Sequence, residues 1–342
     1  MENKTILKNR DKYKVLKMAK GINLGKFRYL HDKDDIFNKT DVFSNWINTG
    51  NDSVYFKGKY MDIFSHTNKH RVISELVVDK IAKQLGIYVA KYEPAHVGKN
   101  KALVSYNVAK NENQNLVFMS RFDVLGGDNS FNISFQKIAK NWNKVEEFKY
   151  YNVDKNNILF GLYKILLLDA LTFQEDRHEQ NIFFIINDLA NTITLAPIID
   201  NEFAFGLKTL DYYLDIGNKI STSFDTKEFL RFHGANMRYV AMESTYSERV
   251  KDDKKYQKNV KDIVKLAQKD CIYKAFLIQS LKNIDIQKAI LDVEKMGYKI
   301  SPEYKKYMCD LVDLAKQTFK EKIAEVKNEQ KRSQCGATYY GD

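Results

Sequence analysis

Proline is almost missing from this 342-residue chain, which has only Pro94, Pro197 and Pro302. No Pro-rich linker can divide it into separate units. Cysteine is as scarce. Cys271, Cys309 and Cys335 are odd in number, widely spaced and without the spacing of metal ligands. Neither a disulfide framework nor a zinc site is implied. Cys271 and Cys309 fall in helical patterns and read as reduced thiols in or near a core. No apolar run approaches the ~18 residues of a membrane span, and no internal repeat is visible. The opening MENKTILKNRDKYK is charged throughout and lacks the apolar run of a signal peptide. A cytoplasmic location is the expectation.

What is there supports a folded chain. Hydrophobic residues make up 44% and aromatics 13%, enough for a core and too much for global disorder. The length suits one bilobal domain or two ordinary ones. A formal net charge of +11 favours polyanionic partners. The lysines are scattered over helix faces, however, with no dense basic run or nucleic-acid motif. Direct binding of nucleic acid is therefore not expected.

Composition changes along the chain. Residues 1–40 are polar and read as an N-terminal leader or short strands. Residues 41–122 pattern as strands around one helix. Ser53-Val54-Tyr55-Phe56-Lys57 is β-prone. His70 to Leu85 is helical, with Ile73, Val77, Ile81 and Leu85 recurring at i+4 and Gly86 placed to end it. Residues 88–90, 102–106 and 116–119 read as further strands. After the break at Gly126-Gly127-Asp128-Asn129, residues 123–328 are mainly helical. Ile158 to Phe173 is apolar around most of its circumference and predicts a buried helix. Residues 182–186 and 192–199 predict a hairpin. Helices are expected over roughly 226–243, 256–282, 285–296 and 302–328, the last with Ser301 as N-cap and Pro302 in its first turn. Residues 329–342 read as a flexible tail. The expected class is α+β, with a small β-rich N-terminal lobe and a larger, mainly helical C-terminal lobe.

The chemistry concentrates after the buried helix, in Asp176-Arg177-His178-Glu179-Gln180-Asn181, and beyond the hairpin at Ile199-Asp200. An Asp five residues before an Asn, with a second Asp further on, is a layout suited to phosphoryl transfer. Antiparallel pairing puts the start of one strand beside the end of the other. Asn181 and Asp200 should therefore meet at the open end of the hairpin, next to Asp176. Asp176 is the candidate to deprotonate an attacking hydroxyl. Asn181 and Asp200 are candidates for Mg²⁺, which takes oxygen ligands and keeps waters and phosphates in its shell. His178 could brace the loop, and Arg177 could pair with a nearby carboxylate.

A nucleotide end can be sought in the β-rich half. Lys57 closes a strand, and Lys59 shares its parity. Glu75 projects along an apolar row with Val72, Val78 and Ala82, which suggests a cationic partner such as Lys57; a surface glutamate lying over its neighbours is the alternative. The loop before the strand carries Gly50 and Ser53 and could cover phosphates through its N–H groups. Phe118, Met119, Ser120 and Phe122 sit where a connector between lobes would offer backbone groups to adenine, although a core strand plus turn describes them equally well.

These pieces, in this order, resemble the HipA-like Ser/Thr kinases, a bacterial group distantly related to protein and phosphatidylinositol kinases. The resemblance rests on VYFK ending at Lys57, SELVVDKIAKQLGI around Glu75, FMSRFD at 118–123, DALTFQEDRHEQN ending at Asn181 and LAPIID ending at Asp200. It implies a bilobal protein-kinase-like fold, Mg²⁺ with ATP, and transfer to a Ser or Thr hydroxyl of a protein substrate. It implies Lys57 for the phosphates, Asp176 for catalysis, and Asn181 with Asp200 for metal. Some members are toxin halves of toxin–antitoxin pairs, which would bring an antitoxin or other regulatory partner. A lipid or small-molecule kinase of the same fold, or a non-catalytic nucleotide-binding module, is the competing expectation.

Overall fold

The longest apolar stretch of the sequence becomes the central helix of the molecule. The computed structural model describes residues 17–18, 21–23, 44–48, 53–58, 68–97, 100–106, 108–109, 113–119, 122, 135–177, 181–208, 210 and 254–337. Two sheets and seven α-helices are built from these residues.

The first sheet has six strands: β1 (Lys17–Met18), β2 (Gly21–Asn23), β3 (Ser44–Asn48), β4 (Ser53–Gly58), β5 (Tyr92–Val97) and β6 (Asn100–Tyr106), in the order β1-β2-β5-β6-β4-β3. It draws two short strands from the segment read as a leader. β4 lies between β3 and β6, with Lys57 opposite Ser44 on one side and Leu103 on the other. The strand over residues 92–97 was not anticipated, whereas residues 88–90 make only a bridge, Val89 to Ile198.

The second sheet has four strands: β7 (Gln114–Phe118), β8 (Asn152–Val153), β9 (Phe183–Asn187) and β10 (Thr192–Leu195), in the order β7-β9-β10-β8. The predicted hairpin forms as β9 and β10, with Leu195 opposite Phe184. β7 pairs with β9, so the segment expected to close the N-terminal half is hydrogen-bonded to the C-terminal half.

Helix α1 (Asn68–Gln84) carries the predicted apolar face, with Leu76, Val77, Ile81 and Ala82 fully buried. It ends at Gly86, whose φ of 66° suits a residue without a Cβ. Helices α2 (Phe135–Asn141) and α3 (Lys155–Thr172) follow. Asp154 caps α3 by accepting from Asn157 N–H at 3.0 Å. Residues 165–172 of α3 are all buried, as expected of a helix apolar on every side. Phe173, not a glycine, makes the left-handed turn that ends it.

The predicted helix over 256–282 is two helices, α4 (Lys254–Gln268) and α5 (Cys271–Asn283). Asp270 divides them, accepting from the N–H groups of Ile272 and Tyr273 and so capping α5. Cys271 then lies exposed rather than in the core, and Cys309 is half-buried. Helix α6 (Ile286–Lys295) forms as predicted, while α7 (Pro302–Ala337) runs past 328 into the segment read as a tail. The predicted helix over 226–243 lies outside the described residues.

Helix α1 is fastened to the C-terminal helices. Ser74 Oγ and Tyr304 OH share a 2.8 Å hydrogen bond, and the His70 ring stacks on Tyr304 at 3.8 Å. At the other end, Gln84 exchanges two bonds with the backbone of Asp285. Among the described residues, no helix is long and apolar enough to cross a membrane.

Candidate active site

The segment after α3 is organised by two side chains, Gln174 and Arg177. Gln174 is buried. Its Oε1 accepts from the N–H groups of Glu175 and Asp176, and its Nε2 donates to Asp200 O at 3.2 Å. One amide therefore turns the loop and ties it to the segment at the end of the hairpin.

Arg177 is fully buried. It makes a two-pronged contact with Asp169 of α3, Nε to Oδ2 and Nη2 to Oδ1, both at 3.1 Å. It also donates to Asn201 Oδ1 at 2.5 Å, Ile199 O at 2.8 Å and Asn181 O at 3.4 Å. The planar fork of a guanidinium suits this many acceptors. Burial works to lower the Arg177 pKa, but Asp169, with Asp200 and Glu75, outweighs it and holds the group above its ordinary value. Burial pushes the Asp169 carboxyl up, against the pull of Arg177, and the two-pronged contact gives each buried group its partner, as a buried charge needs.

These bonds converge where the sequence places them. Asn181 and the Ile199–Asp200 end of the hairpin share the Arg177 guanidinium. Asn181 Nδ2 donates to Asp176 O at 2.7 Å, closing the loop between the candidate base and the candidate metal ligand. Among the described residues Asn181 Oδ1 has no hydrogen-bond partner, so it remains available to a cation. Three of the four described non-glycine residues with positive φ, Phe173, Asp200 and Phe205, border this loop. Such a backbone costs ~1 kcal/mol or more and concentrates at functional sites.

Asp176 has a partner that the sequence reading did not assign: Lys208 Nζ lies 2.5 Å from its Oδ1. The Asp200 carboxylate and the Asn181 amide oxygen are hard oxygen ligands. They fit Mg²⁺ held jointly with substrate phosphates better than an all-protein cage. Among the described residues no cluster of three or more His, Cys, Asp or Glu side chains is placed to hold a metal ion.

Lys208 was invisible to motif reasoning because it lies in no recognised pattern. Asp169 was overlooked for a related reason, being the one acid of α3, set in its apolar C-terminal half. That signal was present in the sequence, since an acid in a buried stretch demands a cation.

Glu75 is fully buried. Its carboxylate accepts from Tyr92 OH at 2.5 Å, from Asn201 N–H at 2.8 Å and from Asn201 Nδ2 at 3.4 Å. The surface alternative is excluded, and α1 reaches the residue after Asp200 directly. The Lys57 side chain and Lys59 lie outside the described residues, as do Gly50, Ser120 and His178. Ser53 begins β4, its backbone opposite Asn48.

Of the two readings of the connector, the core strand plus turn fits the contacts of Met119 and Phe122. Met119 is fully buried, its N–H donates to Ile182 O at 2.9 Å, and its carbonyl accepts from Phe122 N–H at 3.0 Å. Phe122 packs among Phe148 and Phe184, and Phe118 lies against Phe183. Met119 and Phe122 are core residues, and the Met119 N–H is already committed. For these two the strand-and-turn description holds.

No protein-family model and no curated protein matches the sequence. Solved structures do match. The Helicobacter pylori proinflammatory kinase CtkA is similar over 90% of this chain and 99% of its own, with a TM-score of 0.57 and 12% identity. HipA of Shewanella oneidensis MR-1, solved with HipB and operator DNA, aligns over 95% of this chain and 71% of its own at 14% identity. Its TM-score of 0.43 is too low to argue from. At such identities the likeness speaks for the fold alone. The chain has a bilobal kinase-like fold, similar to that of the CtkA kinase.

Proposed function

We propose that this chain is a phosphotransferase using ATP with Mg²⁺, acting on a Ser or Thr hydroxyl of a protein. The observation that carries the reading is the loop closed by Asn181 Nδ2 on Asp176 O. It couples a carboxylate able to take a proton to an amide oxygen able to hold a metal, on a fold shared with a kinase. Asp176 is the general base, and a base must come within hydrogen-bond reach of the proton it removes. Asn181 and Asp200 hold the metal, which would neutralise charge on the phosphates. Lys57 is assigned to the phosphates on its strand position and on the resemblance. An antitoxin-type or other regulatory protein partner remains an expectation of the resemblance.

The test is transfer of labelled γ-phosphate from ATP with Mg²⁺, alone and with a cytoplasmic extract, for the wild type, Asp176→Asn and Asp200→Asn. Label should appear on protein and fall by about 100-fold or more in each variant. Label on lipid or a small molecule would redirect the substrate class. No transfer to any acceptor, with ATP binding unaltered by Asp200→Asn, would leave a non-catalytic nucleotide-binding module.

A further inference from the structure

Lys208 lies outside every motif of the sequence, yet it touches the candidate base. Its main-chain N–H donates to Glu175 Oε2 at 2.7 Å, and its Nζ stands 2.5 Å from Asp176 Oδ1. The same ammonium lies 4.6 Å from the centre of the Phe203 ring. Its position does not depend on a free-swinging stem. Phe205 N–H donates to Thr172 O, Gly206 N–H to Phe173 O and Glu175 N–H to Phe203 O, so the backbone of this segment is bonded to the end of α3 and the start of the loop. Tyr307 OH secures it from behind by donating to Phe205 O at 2.7 Å.

Arg177, the arginine of the loop itself, is unavailable for chemistry. Arg177 is sealed, with its side chain 0% exposed, whereas the side chain of Lys208 is 32% exposed. In phosphoryl transfer, charge spreads over the oxygens of the moving group, and the protein works mainly by positioning and by opposing that charge. An ammonium has three rotatable donors. It can keep one on Asp176 and present another to a phosphoryl oxygen.

We infer that Lys208 is the cation of the transfer step. This rests on the kinase reading above and adds a catalytic residue to it. The acceptor's O–H bond breaks and its proton passes to the Asp176 carboxylate. The oxygen's electron pair forms the bond to the γ-phosphorus. The bond from that phosphorus to the bridging oxygen breaks, its pair leaving on ADP. Lys208 Nζ opposes the charge on the moving group throughout and holds Asp176 in place to receive the proton.

The experiment compares the wild type with Lys208→Met and Lys208→Arg. In steady-state transfer, Lys208→Met should lower kcat by about 100-fold or more, with KM for ATP changed by no more than about threefold. Lys208→Arg should recover part of the loss. A second measurement needs no turnover: binding of ADP with Mg²⁺ and aluminium fluoride, a mimic of the moving phosphoryl group. Lys208→Met should weaken this binding by about tenfold or more while leaving ADP alone unaffected. Transfer in Lys208→Met equal to or faster than wild type would overturn the assignment and leave the kinase reading standing. So would unchanged binding of the mimic. A wild-type chain that transfers to no acceptor would overturn both.

Discussion

Two carboxylate–cation pairs meet the loop around residues 174–181, and they are built in opposite ways. Asp169 and Arg177 have side chains 2% and 0% exposed; Asp176 and Lys208 have side chains 17% and 32% exposed. Adjacent residues, Asp176 and Arg177, thus serve different ends. A buried pair gives little net stability because both ions lose their hydration. Its value here is geometric, since one guanidinium joins α3, Asn181, the end of the hairpin and Asn201. The half-open pair joins only Lys208 to Asp176 and keeps its charges within reach of a ligand. Burial alone separates a charge that holds the scaffold from one that can act.

The comparison breaks most readily at Arg177. Arg177→Met leaves Asp169 buried without its partner and should cost about 3–5 kcal/mol, read as a lower urea midpoint at an unchanged slope. Lys208→Met should cost less than about 1 kcal/mol, because its pair is part-exposed and screened. Equal losses in the two variants would mean that burial does not distinguish the pairs. The loss of transfer proposed for Asp176→Asn should come with a similarly small change in stability, which separates chemistry from folding in one protein.

A third cluster sharpens the exposed end of the scale. On α7, Glu325 accepts from Lys261 at 2.5 Å and from Lys322 at 2.8 Å. These bonds, Lys261 first, hold its carboxyl down to about 2 from an ordinary 4.5. A depressed carboxyl contributes stability above its unfolded pKa and loses it as pH falls through the folded one. The contribution should therefore be complete above about pH 4.5 and fade toward pH 2. It should stay below about 1 kcal/mol and shrink in salt. Acid unfolding of the wild type against Glu325→Gln reads it; a difference that persists at high salt would contradict a solvent-screened pair.

Much of this was legible in the sequence, and the rest was not for identifiable reasons. Helix α3 announced itself by being apolar all round, and the hairpin by two β-prone runs about a polar turn. The Asp176, Asn181 and Asp200 positions followed from spacing, because a loop and a hairpin are local objects. Lys208 was not legible, since its link to Asp176 depends on how the backbone after Asp200 folds back on α3. The partners of Glu75 were hidden for the same reason: the apolar row foretold a buried carboxylate, but Tyr92 and Asn201 reach it from other parts of the chain. The two readings of Met119 could not be separated in the sequence, because the choice depends on the pairing of β7 with the distant β9, which leads it into the core. The break between α4 and α5 was readable, since Asp270 is a good N-cap set in a run whose apolar period continues past it.

The mooring of α1 has a mechanical consequence. Tyr304 grips the helix near its start and Asp285 near its end, so α1 is a fixture of the C-terminal half, although in sequence it sits among the strands of the first sheet. A tilt of that sheet would therefore take place over a stationary helix. Glu75 would then keep its grip on Asn201 while the backbone of β4 moved relative to α1.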